Sequence, residues 1–191
     1  MQEYEIQFLD INVPEIEAKL KAIGARQVGE QNFTTAFFDY PDLRLDKNHS
    51  WIRLRTDGKE TTLAYKERLG VKSNDTSIPD EGMKEIEVVV GDYKKMHELF
   101  CSMGFIIKRE MEKRRIKYTK GVTTFDIDFW PRLYPILEVE SDSLENAKAS
   151  GAELGLNRDE CVICSPSSIY VKNGINPNDY RVMTFKEFIK K

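Results

Sequence analysis

Residues 3–8 read Glu3-Tyr4-Glu5-Ile6-Gln7-Phe8, a stretch in which charged or polar side chains alternate with apolar ones. Successive side chains of a β-strand point to opposite faces, so this period of two predicts a strand with one polar and one apolar face. The same alternation recurs in Trp51-Ile52-Arg53-Leu54-Arg55, Lys84-Glu85-Ile86-Glu87-Val88, Lys113-Arg114-Arg115-Ile116-Lys117, Asp126-Ile127-Asp128-Phe129 and Leu137-Glu138-Val139-Glu140. We therefore predict an antiparallel sheet that carries its charged side chains on one face.

The charges of this face are sorted by strand. The acidic pairs are Glu3/Glu5, Glu85/Glu87, Asp126/Asp128 and Glu138/Glu140, whereas Arg53, Arg55, Lys113, Arg115 and Lys117 lie on other segments. Carboxylates two residues apart repel each other on a common face, and a divalent metal would supply the missing counter-charge because hard cations bind carboxylate oxygens. A sheet with one solvated face shows the same alternation. The predicted helices favour an enclosed charged face, since they can cover the apolar side.

Size and composition limit the class of protein. The chain has 191 residues and a net charge of −3, which fits about one domain and gives no general basic field for nucleic acid. No apolar run is long enough to span a bilayer, and residues 1–20 lack a signal-peptide pattern, so we expect a cytoplasmic protein without a membrane partner. Cys161-Val-Ile-Cys164 is a lone C-x-x-C, which we interpret as two small, partly buried thiols in preference to a zinc or redox site.

The local signals predict strands joined by turns and three capped helices. Strands are expected over about 2–10, 27–40, 50–56, 61–68, 83–90, 105–119, 122–130 and 135–141. Asn12, Asp92 and Ser143 are placed to cap the helices, and Asp57-Gly58 is placed to turn a hairpin. Residues 69–82 are expected to form a mobile loop, and residues 157–191 a tail with short helical pieces.

The order of elements repeats. Glu3-x-Glu5, a helix, Gly24 and strands resemble Glu85-x-Glu87, a helix, Gly104 and strands. We predict an α+β fold: a single domain over residues 1–191, with two β-α-β-β-β halves at about 1–68 and 83–141 and a C-terminal helical segment at 143–191. The halves would close an eight-stranded antiparallel β-barrel, a tunnel with helices packed outside, which removes exposed strand edges.

These residues resemble a known family. Glu3-x-Glu5-x-Gln7 is similar to the Glu-x-Glu-x-Lys signature of the CYTH superfamily, the triphosphate tunnel metalloenzymes, which include class IV adenylyl cyclases, thiamine triphosphatases and inorganic triphosphatases. The likeness continues in order through Trp51-Ile-Arg-Leu-Arg55, Lys66, Glu85-x-Glu87, Lys113-x-Arg115, Asp128 and Leu137-Glu138-Val-Glu140. It covers about residues 1–141.

The resemblance implies a role for each matching position. Arg53, Arg55, Lys66, Lys113 and Arg115 would bind phosphates, which suits the planar fork of arginine. Glu3, Glu5, Glu138 and Glu140 would hold the main metal, Mg²⁺ or Mn²⁺. Glu85, Glu87 and Asp128 would serve catalysis near a second metal or the attacking water. A triphosphate-bearing small molecule is the expected partner, and a homodimer through outer strands could form.

One departure leaves the activity open. Gln7 stands where the signature has lysine, which replaces a charge-assisted contact with a neutral one at a cost of about 1–2 kcal/mol in phosphate or transition-state binding. The favoured hypothesis is metal-dependent hydrolysis of inorganic tripolyphosphate, nucleoside triphosphate or thiamine triphosphate. The alternatives are a class IV adenylyl cyclase that makes cyclic AMP from ATP, a non-catalytic polyphosphate or nucleotide binder, and a structural protein with a solvated sheet.

Overall fold

The computed structural model describes residues 4–69 and 83–191. The chain forms two compact units, one of Met1–Asn32 with Lys113–Pro177 and the other of Phe33–Glu112 with Asn178–Lys191. Glu3 and most of the predicted loop 69–82 lie outside the described residues. Within the described ranges, no helix is long and apolar enough to cross a membrane.

The strands and helices follow one another in a mixed α and β order. The strands are β1 Tyr4–Leu9, β2 Arg26–Asp39, β3 Ser50–Thr56, β4 Thr61–Arg68, β5 Met83–Val90, β6 Ile106–Lys120, β7 Thr123–Phe129, β8 Ile136–Ser141, β9 Tyr180–Met183 and β10 Phe188–Lys190. The helices are α1 Val13–Ala22, α2 Arg44–Lys47, α3 Tyr93–Ser102, α4 Leu144–Glu153 and α5 Pro166–Lys172, with short 3₁₀ turns at Arg158–Glu160 and Pro177–Asp179. The eight strands predicted before residue 142 are confirmed, with shifts at their ends.

The predicted caps are present. Asn12 Oδ1 accepts from the Glu15 amide at 3.2 Å at the start of α1, and Asp92 Oδ1 accepts from the Lys95 amide at 3.0 Å at the start of α3. Ser143 caps α4 in the same way. Each cap satisfies an amide that the first helical turn leaves without a partner.

In the first unit, β1, β8, β7 and the second part of β6 form an antiparallel run in that order. Their apolar side chains share one face and pack against α1 and α4 to form the core: Ile6, Phe8, Ile16, Leu20, Ile116, Phe125, Ile127, Leu137, Val139 and Ala147. Gly151 lets α4 approach the sheet, because a Cβ there would lie 2.8 Å from the Phe8 ring. The charged side chains are left on the opposite face.

The second unit has its own core. β2, β3, β4 and β5 pair antiparallel, and Ala36, Phe38, Leu54 and Phe100 form the buried centre. The Phe38 and Phe100 rings stack with centroids 5.0 Å apart, which fixes α3 on this sheet. The β3–β4 hairpin is confirmed, with four loop residues between Thr56 and Thr61 in place of a two-residue turn.

Two predictions are corrected by the strands. The tail contains the predicted short helical pieces, α5 and the two 3₁₀ turns, but its final part forms the β9–β10 pair, and β9 runs parallel to β6 with Val182 opposite Glu110. Over residues 4–69 and 83–191 the sheet has ten strands and is not closed: the order β1-β8-β7-β6-β2-β3-β4-β5 ends at β1 and β5, so the predicted closed eight-stranded barrel is wrong. A physical reason lies at β1, where Gln7 and Val162 exchange both backbone hydrogen bonds at 2.9 Å and occupy the edge that closure would need.

Candidate active site

The polar face of the first unit is arranged in cross-strand rows. Gln7 lies opposite Glu138, which lies opposite Asp126, which lies opposite Lys117. The next row brings Glu5 opposite Glu140. Side chains in such rows are direct neighbours, so the register alone brings together carboxylates from β1, β7 and β8.

Arg115 is at the centre of this face. Its Nε and Nη2 donate to the two oxygens of Asp128 at 2.6 Å each, and the same guanidinium also contacts Asp126 and Glu138. Lys113 Nζ donates to Asp128 Oδ2 at 3.0 Å. Asp128 is fully buried, so these contacts provide the compensation that a buried carboxylate needs.

Burial and charge shift the ionisation of this group. Burial alone would raise the pKa of Asp128, but Lys113 and Arg115 hold it below its ordinary value. Burial lowers the pKa of Lys113 against the attraction of Asp128. Burial, together with the charge of Asp128, raises the pKa of Glu138 to about 8, and burial raises the pKa of Asp126 despite Arg115.

Gln7 links the acidic residues of β1 and β8. It is 3 % exposed, and its Nε2 donates to Glu5 Oε1 at 2.8 Å and to Glu138 Oε1 at 3.2 Å. Its backbone hydrogen bonds go to Val162, so Gln7 and Glu138 form the closer, non-hydrogen-bonded type of cross-strand pair. Its Oε1 accepts from Cys164 Sγ at 3.3 Å.

The donor set of this face fits a divalent cation in charge and chemistry. Five carboxylates (Glu5, Asp126, Asp128, Glu138 and Glu140) stand against three cationic side chains (Lys113, Arg115 and Lys117). Asp126 Oδ1 is buried without a hydrogen-bond partner, which leaves a carboxylate lone pair open. Within residues 4–69 and 83–191, no group of three or more His, Cys, Asp or Glu is already gathered as a metal cluster.

The second unit has a separate polar face on β3, β4 and β5. Arg53 Nη2 donates to Glu87 at 2.7 Å and to Glu85 at 3.3 Å, and Lys66 Nζ lies 2.8 Å from Glu85. Arg55 stacks over the Phe33 ring, with its guanidinium carbon 4.7 Å from the ring centroid. Arg53 Nε is buried and has no hydrogen-bond partner, so this guanidinium retains capacity for an anion.

The structure thus places the predicted site residues in two sets, each inside its own unit. The first unit holds Glu5, Lys113, Arg115, Asp128, Glu138 and Glu140, and the second holds Arg53, Arg55, Lys66, Glu85 and Glu87. No role for Lys117, Asp126 or Cys164 was predicted from the sequence. The alternation around Asp126 and Lys117 could have identified both, whereas Cys164 reaches Gln7 from 157 residues away and shares no pattern with it.

Comparison with known proteins agrees with this arrangement of strands. A family model for the CYTH domain matches residues 1–156. No match was found among functionally curated proteins.

Several solved structures share the fold. A protein from Pyrococcus horikoshii is 24% identical, with 84% of this chain and 94% of that chain covered and a TM-score of 0.66. A candidate adenylate cyclase from Vibrio parahaemolyticus is 16% identical, with 90% and 98% covered and a TM-score of 0.71. A candidate adenylyl cyclase from Hippeastrum, reported to have a dominant triphosphatase activity, is 14% identical, with 94% and 99% covered and a TM-score of 0.65.

Proposed function

Because the chain belongs to the CYTH family, we propose that it is a divalent-metal-dependent triphosphatase that hydrolyses inorganic tripolyphosphate, a nucleoside triphosphate or thiamine triphosphate. The observation that carries this proposal is the polar face of the first unit, where five carboxylates share one face of the sheet with Arg115 and Lys113. A face that combines these carboxylates with a buried lysine and a partly buried arginine suits a metal bound to a polyphosphate, since each partner neutralises the other.

The metal would be held by the glutamates of β1 and β8: Glu5, Glu138 and Glu140, together with Glu3. When bound, it would polarise phosphate oxygens and lower the pKa of a coordinated water. Gln7 keeps Glu5 and Glu138 turned toward each other through its Nε2, which holds their oxygens ready as ligands.

Arg115 and Lys113 would bind the phosphate chain. Asp128 holds both cations in place, because each of its oxygens accepts a hydrogen bond from Arg115 and Oδ2 also accepts one from Lys113. Arg115 now also contacts Asp126 and Glu138, and it would exchange those two contacts for phosphate oxygens when substrate and metal arrive. Positioning and charge neutralisation of this kind supply most of what phosphoryl transfer needs.

The second polar face offers further phosphate ligands. Arg53, Arg55 and Lys66 would bind phosphate oxygens, and Glu85 and Glu87 would assist near a second metal or the attacking water. Support comes from the existing pairs, in which Arg53 and Lys66 already share Glu85. All four residues of these pairs retain solvent access and can change partners.

Two observations favour other activities. The likeness to a candidate adenylate cyclase supports a class IV cyclase, in which the ribose 3′-hydroxyl attacks the innermost phosphorus in place of water. Gln7 supports a non-catalytic polyphosphate or nucleotide binder, since a neutral amide replaces the cation of the family signature.

One assay separates these activities. Purified protein is incubated with tripolyphosphate, ATP or thiamine triphosphate and Mg²⁺ or Mn²⁺, and phosphate, pyrophosphate and cyclic AMP are followed. Phosphate release supports the triphosphatase, cyclic AMP with pyrophosphate supports the cyclase, and binding without products supports the binder. Glu138→Ala should abolish turnover while Glu98→Gln, an exposed change on α3, should not. Full activity in Glu138→Ala would contradict the metal assignment.

A further inference from the structure

We propose that Cys164 is a positioning residue for the metal-binding carboxylates and acts through the side-chain amide of Gln7. Its thiol donates to Gln7 Oε1 at 3.3 Å, and the other end of the same amide donates to Glu5 and Glu138. The proposal rests on the proposed function, because it assigns Cys164 a role toward the ligands of that site.

The three hydrogen bonds fix one of the two orientations of the amide. In the observed orientation both Nε2 protons point to carboxylate oxygens and Oε1 meets a donor. The reversed amide would turn Nε2 away from the oxygens of Glu5 and Glu138, so both of those hydrogen bonds would be lost. Because the thiol is a donor on the Oε1 side, it selects the orientation that gathers the two carboxylates.

The chain around Cys164 is held at both ends. Two residues earlier, Val162 exchanges backbone hydrogen bonds with Gln7. One residue later, Ser165 caps α5 and Pro166 occupies its first turn. Burial raises the pKa of the Cys164 thiol against the opposing charge of Lys172, so the group keeps the proton that it donates.

This arrangement makes Gln7 and Cys164 a matched pair. A lysine at position 7, as in the family signature, has no acceptor and could not receive the thiol proton. The effect of removing the thiol should therefore exist only when residue 7 is glutamine. This dependence distinguishes positioning through the amide from a loss of general packing around Cys164.

A double-mutant cycle tests the proposal with Gln7→Lys, Cys164→Ala and the double variant, and with Cys164→Ser as the conservative replacement. Cys161→Ala is the matched control, since Cys161 lies on the same segment as Cys164 but packs against the hydrophobic core of the first unit. The first readout is the ¹H–¹⁵N NMR signal of the Gln7 side-chain amide in metal-free protein, assigned by its absence in Gln7→Lys. The second is Mn²⁺ affinity by calorimetry.

We expect Cys164→Ala to shift the Gln7 amide signal and to weaken Mn²⁺ binding about fivefold, the equivalent of one neutral hydrogen bond. Cys164→Ser should restore most of both, and Cys161→Ala should change neither. In the Gln7→Lys background, Cys164→Ala should have no effect on Mn²⁺ affinity. An unmoved amide signal in Cys164→Ala, or equal weakening in both backgrounds, would overturn the proposal. If the protein binds no Mn²⁺ at all, the proposed function fails, and the amide signal of the metal-free protein still decides the orientation.

Discussion

Arg115 holds both carboxylate oxygens of Asp128, with Nε–Oδ1 and Nη2–Oδ2 distances of 2.6 Å. This fork is bidentate, which is the strongest geometry available to an arginine and a carboxylate. Lys113 Nζ donates to Oδ2 of the same carboxylate at 3.0 Å. The polar face of the first unit is therefore organised around one buried anion that two cations share.

Removal of this anion should destabilise the fold. Asp128→Asn would remove the buried carboxylate that the buried Lys113 and the partly buried Arg115 share, and we expect a loss of about 3–5 kcal/mol in the free energy of unfolding, measured with urea. Glu153→Gln, which breaks an exposed ion pair with Lys120, should cost less than about 1 kcal/mol and serves as the control. Equal losses in the two variants would show that Asp128 stabilises the fold no more than an exposed ion pair does.

Restoring the signature lysine should strengthen polyphosphate binding. Gln7→Lys adds a positive charge between Glu5 and Glu138, and we expect triphosphate affinity or turnover to improve by about 1–2 kcal/mol. The comparison is of Kd and kcat/KM with and without the change, at fixed Mg²⁺. Unchanged or weaker binding would show that the amide of Gln7 is itself adapted to this site.

Glu138 should make the stability of the metal-free protein depend on pH. Its pKa is raised from 4.5 to about 8 in the folded protein, so the folded state keeps a proton that the unfolded chain releases. The corresponding stabilisation is complete below pH 4.5 and is lost as the pH rises toward about 8. Urea denaturation across this interval, in the presence of a chelator, should show a falling free energy of unfolding. Glu138→Gln should flatten the slope, and an identical slope in both proteins would contradict the assignment.

A side chain at position 151 should lower the stability of the protein. A Cβ at this position would lie 2.8 Å from two atoms of the Phe8 ring, so Gly151→Ala should cost about 1–3 kcal/mol through overpacking between α4 and β1. Gly29→Ala is the control, because a Cβ there meets nothing within 4 Å. Thermal denaturation of both variants measures the difference, and a neutral Gly151→Ala would show that α4 can shift freely.

The alternation of residues predicted most of the strands and the separation of polar from apolar faces, because burial of one face imposes a period of two on each strand. Asp126 and Lys117, which face each other across β6 and β7, follow from that rule. The contact of Cys164 with Gln7 could not be predicted, since it depends on where a distant segment returns. The open sheet was not predicted for the same reason. Val162 occupies the edge of β1, and no pattern in the sequence indicates that it pairs with Gln7.

The backbone bridge between Gln7 and Val162 has a practical consequence for the choice of truncation boundaries. The family match stops at residue 156, before the bridge. A fragment shortened to that boundary would lose the cover of its first strand and present bare amide and carbonyl groups, which invite association with other copies. Its precipitation during purification would reflect the cut and not any weakness of the domain.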